Sequence, residues 1–260
     1  MIILVGMAKS SKFSLPLRKR DESAKRSGTW VEIHFEREFT TARTALIVCD
    51  MWDRHWCPGA TLRIHALARR LEPVLNRARD SGIQIIHAPS DTMNFYRHYR
   101  ERRRMLNITQ LTPPPTEAPQ PPPLPIDDSD EGCDTPADPW ALVWTRQHLD
   151  ISIKDDDVIS DSGIEMYSFL RRQGIEDLMF VGVHANKCVL QRPFGIRQMT
   201  AWGFSCTLLR DLTDAIYNPA MWPFVSVERA TQLVVEYIEK YDSPTALSPD
   251  LLSALSNTSN

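Results

Sequence analysis

The chain has 260 residues, of which 42% are hydrophobic and 24% charged, and its formal net charge is -3. This composition is typical of a globular protein long enough for one large α/β core. It gives no reason to expect nucleic acid or a membrane as a partner. The opening segment MIILVGMA is too short to span a membrane and lacks the basic start of a secretion signal, so we expect a cytoplasmic protein.

The first half of the chain predicts a βαβ unit preceded by less regular segments. Residues 1–28 are polar and basic, which favours an N-terminal surface arm, and 29–36 alternate as in a half-buried edge strand. The run TALIVCD ends in Asp50 and is typical of a buried parallel strand. A helix from about Thr61 to Arg79 and the strand IQIIHAP (83–89) follow it.

A proline-rich stretch then interrupts the pattern. Residues 112–139 hold more than half of the chain's 19 prolines. Because proline donates no backbone hydrogen bond, this stretch predicts a long surface insertion, at about 106–140, without regular helix or sheet.

The second half returns to alternating strands and helices. We predict a three-layer α/β/α domain over residues 29–245 with a mostly parallel sheet, followed by a tail at 246–260. The predicted elements are a strand at 150–154, a helix at about 163–173, strands at 177–183 and 204–211, and a helix at 227–241.

Five cysteines carry no metal-like spacing. Cys49 and Cys206 lie in apolar strand-like runs, which favours small buried thiols. A disulfide framework is not expected at this size and cysteine density. We therefore expect Cys188 to be reduced, and its role must be inferred from its position.

Cys188 lies just beyond a predicted strand end, where ligands of open parallel sheets bind. Asp50 and Lys154 follow other strand ends, so a carboxylate, an ammonium and a thiol are expected at one edge. A helix N-terminus and an ammonium would stabilise the thiolate, and a carboxylate can accept the thiol proton. A buried structural cysteine is the alternative.

Three segments resemble the isochorismatase-like cysteine hydrolases: TALIVCDMWDRHWC, GIEDLMFVGVHANKCVL and DLTDA at 211–215. The resemblance covers residues 40–95 and 150–240. It implies a Rossmann-like α/β/α fold and an Asp–Lys–Cys triad that hydrolyses C–N bonds through a thioester.

By this resemblance, Asp50 is the general base and Cys188 the nucleophile. A cis peptide is implied at Val183–His184, and the backbone N–H groups of His184 and Cys188 would form an oxyanion hole. Lys154 precedes the cysteine at about the family spacing. If DDVIS is aligned with the family strand instead, Ser160 to Ser162 occupy that position and no lysine does.

The resemblance also bears on metal and substrate. Asp91 matches the aspartate of the nicotinamidase metal set, but Met93 replaces its histidine, so we expect neither a metal nor a cofactor. Asp91 would disfavour an anionic substrate, and the aromatic residues suit a flat or cationic one. The expected pocket walls are Trp52, His55, Trp56, Asp91, Phe95 and Tyr96.

The sequence thus predicts a cysteine hydrolase that cleaves an amide-type bond of a small molecule. A homo-oligomer, either a dimer or a tetramer, is expected by resemblance. The alternative is a catalytically silent binding or scaffold protein of the same fold.

Overall fold

A computed structural model describes residues 10–116, 121–137 and 142–257. Its centre is one eight-stranded sheet with the strand order β2-β1-β8-β7-β6-β3-β4-β5. The strands are β1 (Lys12–Glu22), β2 (Trp30–Thr40), β3 (Thr44–Cys49), β4 (Gln84–Ala88), β5 (Val158–Ile159), β6 (Asp177–Val183), β7 (Ser205–Asp214) and β8 (Thr245–Ala246). The helices are α1 (Pro58–Asp80), α2 (Met93–Tyr96), α3 (Arg100–Leu106), α4 (Gly163–Gln173), α5 (Cys188–Gln191), α6 (Ile196–Ala201), α7 (Val227–Tyr241) and α8 (Ser248–Asn257).

The middle of the sheet is parallel and buried on both faces. β3 lies between β4 and β6, and β6 pairs in parallel with β7. Every residue of β3 and β6 is buried, which explains why both read as continuous apolar runs rather than alternating ones. The predicted mostly parallel sheet is therefore confirmed.

Helices cover both faces of this sheet, which confirms the three predicted layers. The apolar stripes of α1 and α8 pack on one face against alternate residues of β3 such as Leu46 and Val48. Residues of α4, α6 and α7 pack on the other face, against Ala45 and Ile47. Because side chains alternate along a strand, one apolar run supplies both cores.

Both ends of the described chain belong to the sheet or its layers, unlike the predicted arm and tail. β1 pairs antiparallel with β2 along eleven residues and with β8 at Arg18. Its residues Phe13, Leu15 and Leu17 alternate and are buried, a pattern that the flanking charges obscure in the sequence. α8 buries Leu251 and Leu255. The first nine residues and the last three lie outside the described part.

The predicted strand at 150–154 is wrong, because those residues form turns and coil. The strand beside β4 is β5, which starts four residues later at Val158. This shift places Lys154 before the strand, whereas Ser160 follows it.

After the end of α3 at Leu106, the described parts of the proline-rich insertion have no helix or strand. It is nevertheless attached to the domain. A disulfide joins Cys133 of the insertion to Cys57, the residue that precedes α1. The expectation that the chain lacks disulfides is therefore corrected.

No helix in the described ranges combines the length and apolar character that a membrane crossing requires. The cytoplasmic location stays a prediction.

Candidate active site

Asp50 and Cys188 meet at the carboxyl edge of the parallel sheet. Asp50 directly follows β3 and is fully buried. Its Oδ1 accepts a hydrogen bond from the Ser90 backbone N–H at 2.8 Å, and its carboxylate lies close enough to the Cys188 thiol to raise the pKa of that thiol. Asp50 has a φ of 47°, a left-handed conformation that is uncommon for residues other than glycine and concentrated at functional sites.

The strand that leads to Cys188 approaches β3 unusually closely. A Cβ at Gly182, where φ is 104°, would lie 2.0 Å from the carbonyl oxygen of Cys49. Only glycine fits there without moving the backbone. The peptide bond between Val183 and His184 is cis, as the family resemblance implies.

Cys188 begins a single four-residue turn of helix, α5, and a second short helix starts at Ile196. Because α5 is so short, its dipole offers little stabilisation to a thiolate.

The expected lysine does not reach the site. Lys154 is exposed and precedes β5, so it lies towards the amino ends of the parallel strands, whereas Asp50 lies at their carboxyl ends. Its backbone N–H donates to Asp157 Oδ2 at 2.8 Å. At the carboxyl end of β5 lies the buried hydroxyl residue Ser160 instead. The alternative alignment without a lysine is therefore the one that the structure supports, and the position predicted for Lys154 is corrected.

An arginine supplies the missing cation. Arg192 Nε donates to Asp50 Oδ2 at 2.9 Å, and an Nη atom of the same guanidinium lies 3.2 Å from Asp91 Oδ2. Arg192 was not among the residues predicted for the site. Its spacing of four residues from Cys188 places both side chains on one side of a helical turn, which was an available signal.

Burial and charge set the protonation states of the pair. Burial raises the pKa of Asp50, and the Arg192 charge opposes that shift. Burial also raises the pKa of Cys188 well above its usual range, and the Asp50 carboxylate raises it further. The resting site is thus a neutral thiol beside an ion-paired carboxylate, and the thiolate expected from the sequence is not the stable form.

The two predicted oxyanion-hole groups are backbone N–H donors of His184 and Cys188. Neither donates to a main-chain carbonyl among the described residues. The His184 backbone also lowers the pKa of Cys188, which indicates that it lies near the sulfur. Two donors beside the nucleophile are what an oxyanion requires.

The six residues expected to form the pocket walls divide into packed and open ones. Trp52 is buried, its Nε1–H donates to the Ser90 carbonyl at 3.0 Å, and Trp144 stacks on it at 4.5 Å. Tyr96 is buried and its hydroxyl accepts from the Gln147 N–H. These two rings hold the loops together and are not exposed walls, which corrects that part of the prediction.

Of the remaining four residues, one is packed and three are more exposed. His55 is buried edge-on against His184 at 4.9 Å, and Trp56 next to it is partly exposed. Asp91 and Phe95 line a cavity of about 510 Å³ together with Trp144. Because Arg192 compensates the Asp91 charge, the expected bias against anionic substrates loses its basis.

The structure also bears on metal binding near Asp91. The partner of Asp91 is the Arg192 guanidinium, which would repel a cation. Elsewhere in the described chain, Cys57, Cys133 and Asp134 lie close enough together to share an ion. Two of these three residues form the disulfide, so their sulfurs are not thiolates.

Comparisons with known proteins support the fold. No protein-family model matches the sequence. A search among curated proteins finds no match either. Solved structures do match: a cysteine hydrolase from Pseudomonas syringae pv. phaseolicola has a TM-score of 0.54 at 15% identity, covering 85% of this chain and 95% of that one. A candidate isochorismatase from Burkholderia xenovorans has a TM-score of 0.50 at 16% identity, covering 84% and 89%. The chain therefore has the fold of the isochorismatase-like cysteine hydrolases.

Proposed function

We propose that the protein is a cysteine hydrolase that cleaves a C–N, amide-type bond of a small molecule. The observation that carries this proposal is that the Cys188 thiol lies beside the buried, arginine-paired carboxylate of Asp50. A fold alone does not specify a reaction, so the proposal depends on this arrangement.

In the proposed first half-reaction, Asp50 accepts the thiol proton while Cys188 Sγ attacks the carbonyl carbon. The oxyanion that forms accepts hydrogen bonds from the N–H groups of His184 and Cys188. Asp50 then returns the proton to the leaving nitrogen, the C–N bond breaks, and an acyl thioester remains on Cys188.

In the second half-reaction, Asp50 accepts a proton from water while the water oxygen attacks the thioester. The carboxylic acid leaves and the thiol is restored. Arg192 acts only as a fixed charge. Burial opposes the ionisation of Arg192, but the nearby Asp50 carboxylate outweighs burial and raises the pKa of the guanidinium. It keeps Asp50 ionised and stabilises the developing thiolate.

This mechanism makes a specific statement about pH. The reactive pair, thiolate beside protonated carboxyl, carries the same number of protons as the resting pair. Between the pKa values of Asp50 and Cys188, the alkylation rate of Cys188 by iodoacetamide should therefore not change with pH. In Asp50→Asn the thiolate must form by ionisation, and the rate should rise about tenfold per pH unit.

The direct test is incubation with a panel of small amides, followed by intact mass and hydrolysis assays. The expected result is an acyl mass shift confined to Cys188, removed by hydroxylamine and absent in Cys188→Ala. If there is no turnover and no adduct, and if Cys188 labels as slowly as the buried Cys49, the protein is the silent binding or scaffold alternative. A dimer or tetramer is part of the proposal and is testable by light scattering.

A further inference from the structure

Part of the proline-rich insertion lies against the loop that carries the nucleophile. We call residues 126–135, IDDSDEGCDT, the acidic strap. Asp128 of the strap accepts a hydrogen bond through Oδ2 from Asn186 Nδ2 at 2.7 Å. The same oxygen lies 3.7 Å from Lys187 Nζ, and Glu131 lies 3.5 Å from that ammonium. Asn186 and Lys187 directly precede Cys188.

Asn186 is the point at which several segments are joined. Its side chain is fully buried, donates to the Ile216 carbonyl and accepts from the Ile216 N–H, both at 3.0 Å. Its own carbonyl accepts from Gln191 Nε2 at the end of α5. The hydrogen bonds of Asn186 therefore hold both ends of the turn that carries Cys188. Asp128 is the strap residue that holds the Asn186 side chain in this orientation.

The strap is itself held in place on the far side of Asp128. The disulfide joins Cys133 to Cys57, and Asp134 pairs with Arg63 of α1. Gly132 has a φ of 73°, and a Cβ there would lie 2.6 Å from the Ile216 carbonyl oxygen, so the strap also packs closely against the segment that follows β7. Three independent attachments thus set where the Asp128 carboxylate lies.

We propose that Asp128 is a positioning residue for Cys188, acting through Asn186 and Lys187, and that the Cys57–Cys133 disulfide holds the Asp128 carboxylate in its position. The inference rests on the proposed function, because it concerns the alignment of the Cys188 thiol with Asp50. The insertion is in this view part of the active site's supporting structure rather than a spacer.

The test uses the pH dependence of Cys188 alkylation by iodoacetamide, measured by peptide mass spectrometry between about pH 7 and 9. In the wild type, the logarithm of the rate should be nearly flat. In Asp128→Ala the loop is released, Cys188 loses contact with Asp50, and the rate should rise about tenfold per pH unit, as in Asp50→Asn. A purely structural role of Asp128 would change stability without changing this slope.

Asp127→Ala is the matched control, since the Asp127 side chain bonds only to the Ser129 N–H among the described residues. It should keep the flat profile. Cys57→Ser/Cys133→Ser should steepen the profile, and so should Asp128→Asn, which replaces Asp128→Ala if that variant does not fold. Buried Cys206 should remain unlabelled in every folded variant.

The outcomes separate the two proposals. A flat wild-type profile that stays flat in the folded Asp128 variants would overturn the positioning role and leave the hydrolase proposal intact. Identical slopes in the wild type and in Asp50→Asn would instead remove the base role of Asp50, and both proposals with it.

Discussion

The nucleophile loop, residues 182–192, and the acidic strap lie against each other but are held by different forces. The loop is fixed by close backbone packing, a buried asparagine and the ends of two fully buried strands. The strap has no helix or strand and is fixed by carboxylates, a disulfide and contacts with neighbouring loops. The position of the nucleophile loop therefore depends on packing, and the position of the acidic strap depends on ion pairs and on the oxidation of its cysteine.

The largest expected effect concerns the packing of the loop. Gly182→Ala should lower the free energy of unfolding by about 4 kcal/mol or more, because the added Cβ would meet the Cys49 carbonyl at a positive φ. Gly174→Ala is the control: its φ is also positive, but the new Cβ would contact nothing. It should cost about 1 kcal/mol. Urea unfolding measures both, and equal losses would contradict the packing argument.

The strap should be more sensitive to reduction than the loop. Removing the disulfide in Cys57→Ser/Cys133→Ser opens a loop of 76 residues. It should lower the free energy of unfolding by about 2–4 kcal/mol, the usual contribution of one disulfide. Treatment of the wild type with dithiothreitol should give a similar loss, and the double variant should no longer respond to the reagent. Denaturant titration with and without dithiothreitol is the measurement.

Arg192 connects the loop to Asp50 and should matter for rate more than for stability. Arg192→Ala leaves the buried Asp50 carboxylate without its ion pair, and we expect kcat to fall about 100-fold. Arg192→Lys should recover part of this rate, because a lysine supplies the charge but not the paired geometry. The control is Arg69→Ala, an exposed arginine paired only with Asp150 among the described residues. A wild-type rate in Arg192→Ala would contradict the assigned role.

The smallest expected effect tests the histidines beside the loop. Burial and the Arg63 charge lower the pKa of His55 to about 4, and burial lowers that of His184 as well. Between the unfolded value near 6.5 and the folded value, the unfolded chain binds more protons, so stability falls as pH is lowered through this range. The loss should be about 1.4 kcal/mol per pH unit for His55.

This pH dependence can be isolated with His55→Gln. The variant should lose less stability than the wild type between pH 7 and pH 5 in urea titrations, by about 1–2 kcal/mol. An unchanged pH profile in His55→Gln would show that other groups dominate the acid response.

The same division of forces explains what the sequence could predict. β3 and β6 were predictable because a continuous apolar run ending in a polar residue has few other interpretations, and Asp50 and Cys188 followed from their positions at strand ends. Lys154 was misplaced because β5 has only two residues and leaves almost no periodic signal. The Cys57–Cys133 pair depends on where distant segments meet, which local patterns do not encode. Arg192 was missed although its spacing of four residues from Cys188 is a local signal.

The β1–β2 hairpin affects how cooperatively the protein unfolds. β1 pairs with β8 near the other end, and Glu239 of α7 binds both Arg18 and Arg20 of β1. Segments separated by more than two hundred residues are thus held together by one set of contacts. Amide hydrogen exchange in β8 and α8 should therefore become faster when β1 is deleted, because β1 and β8 stabilise each other and do not unfold separately.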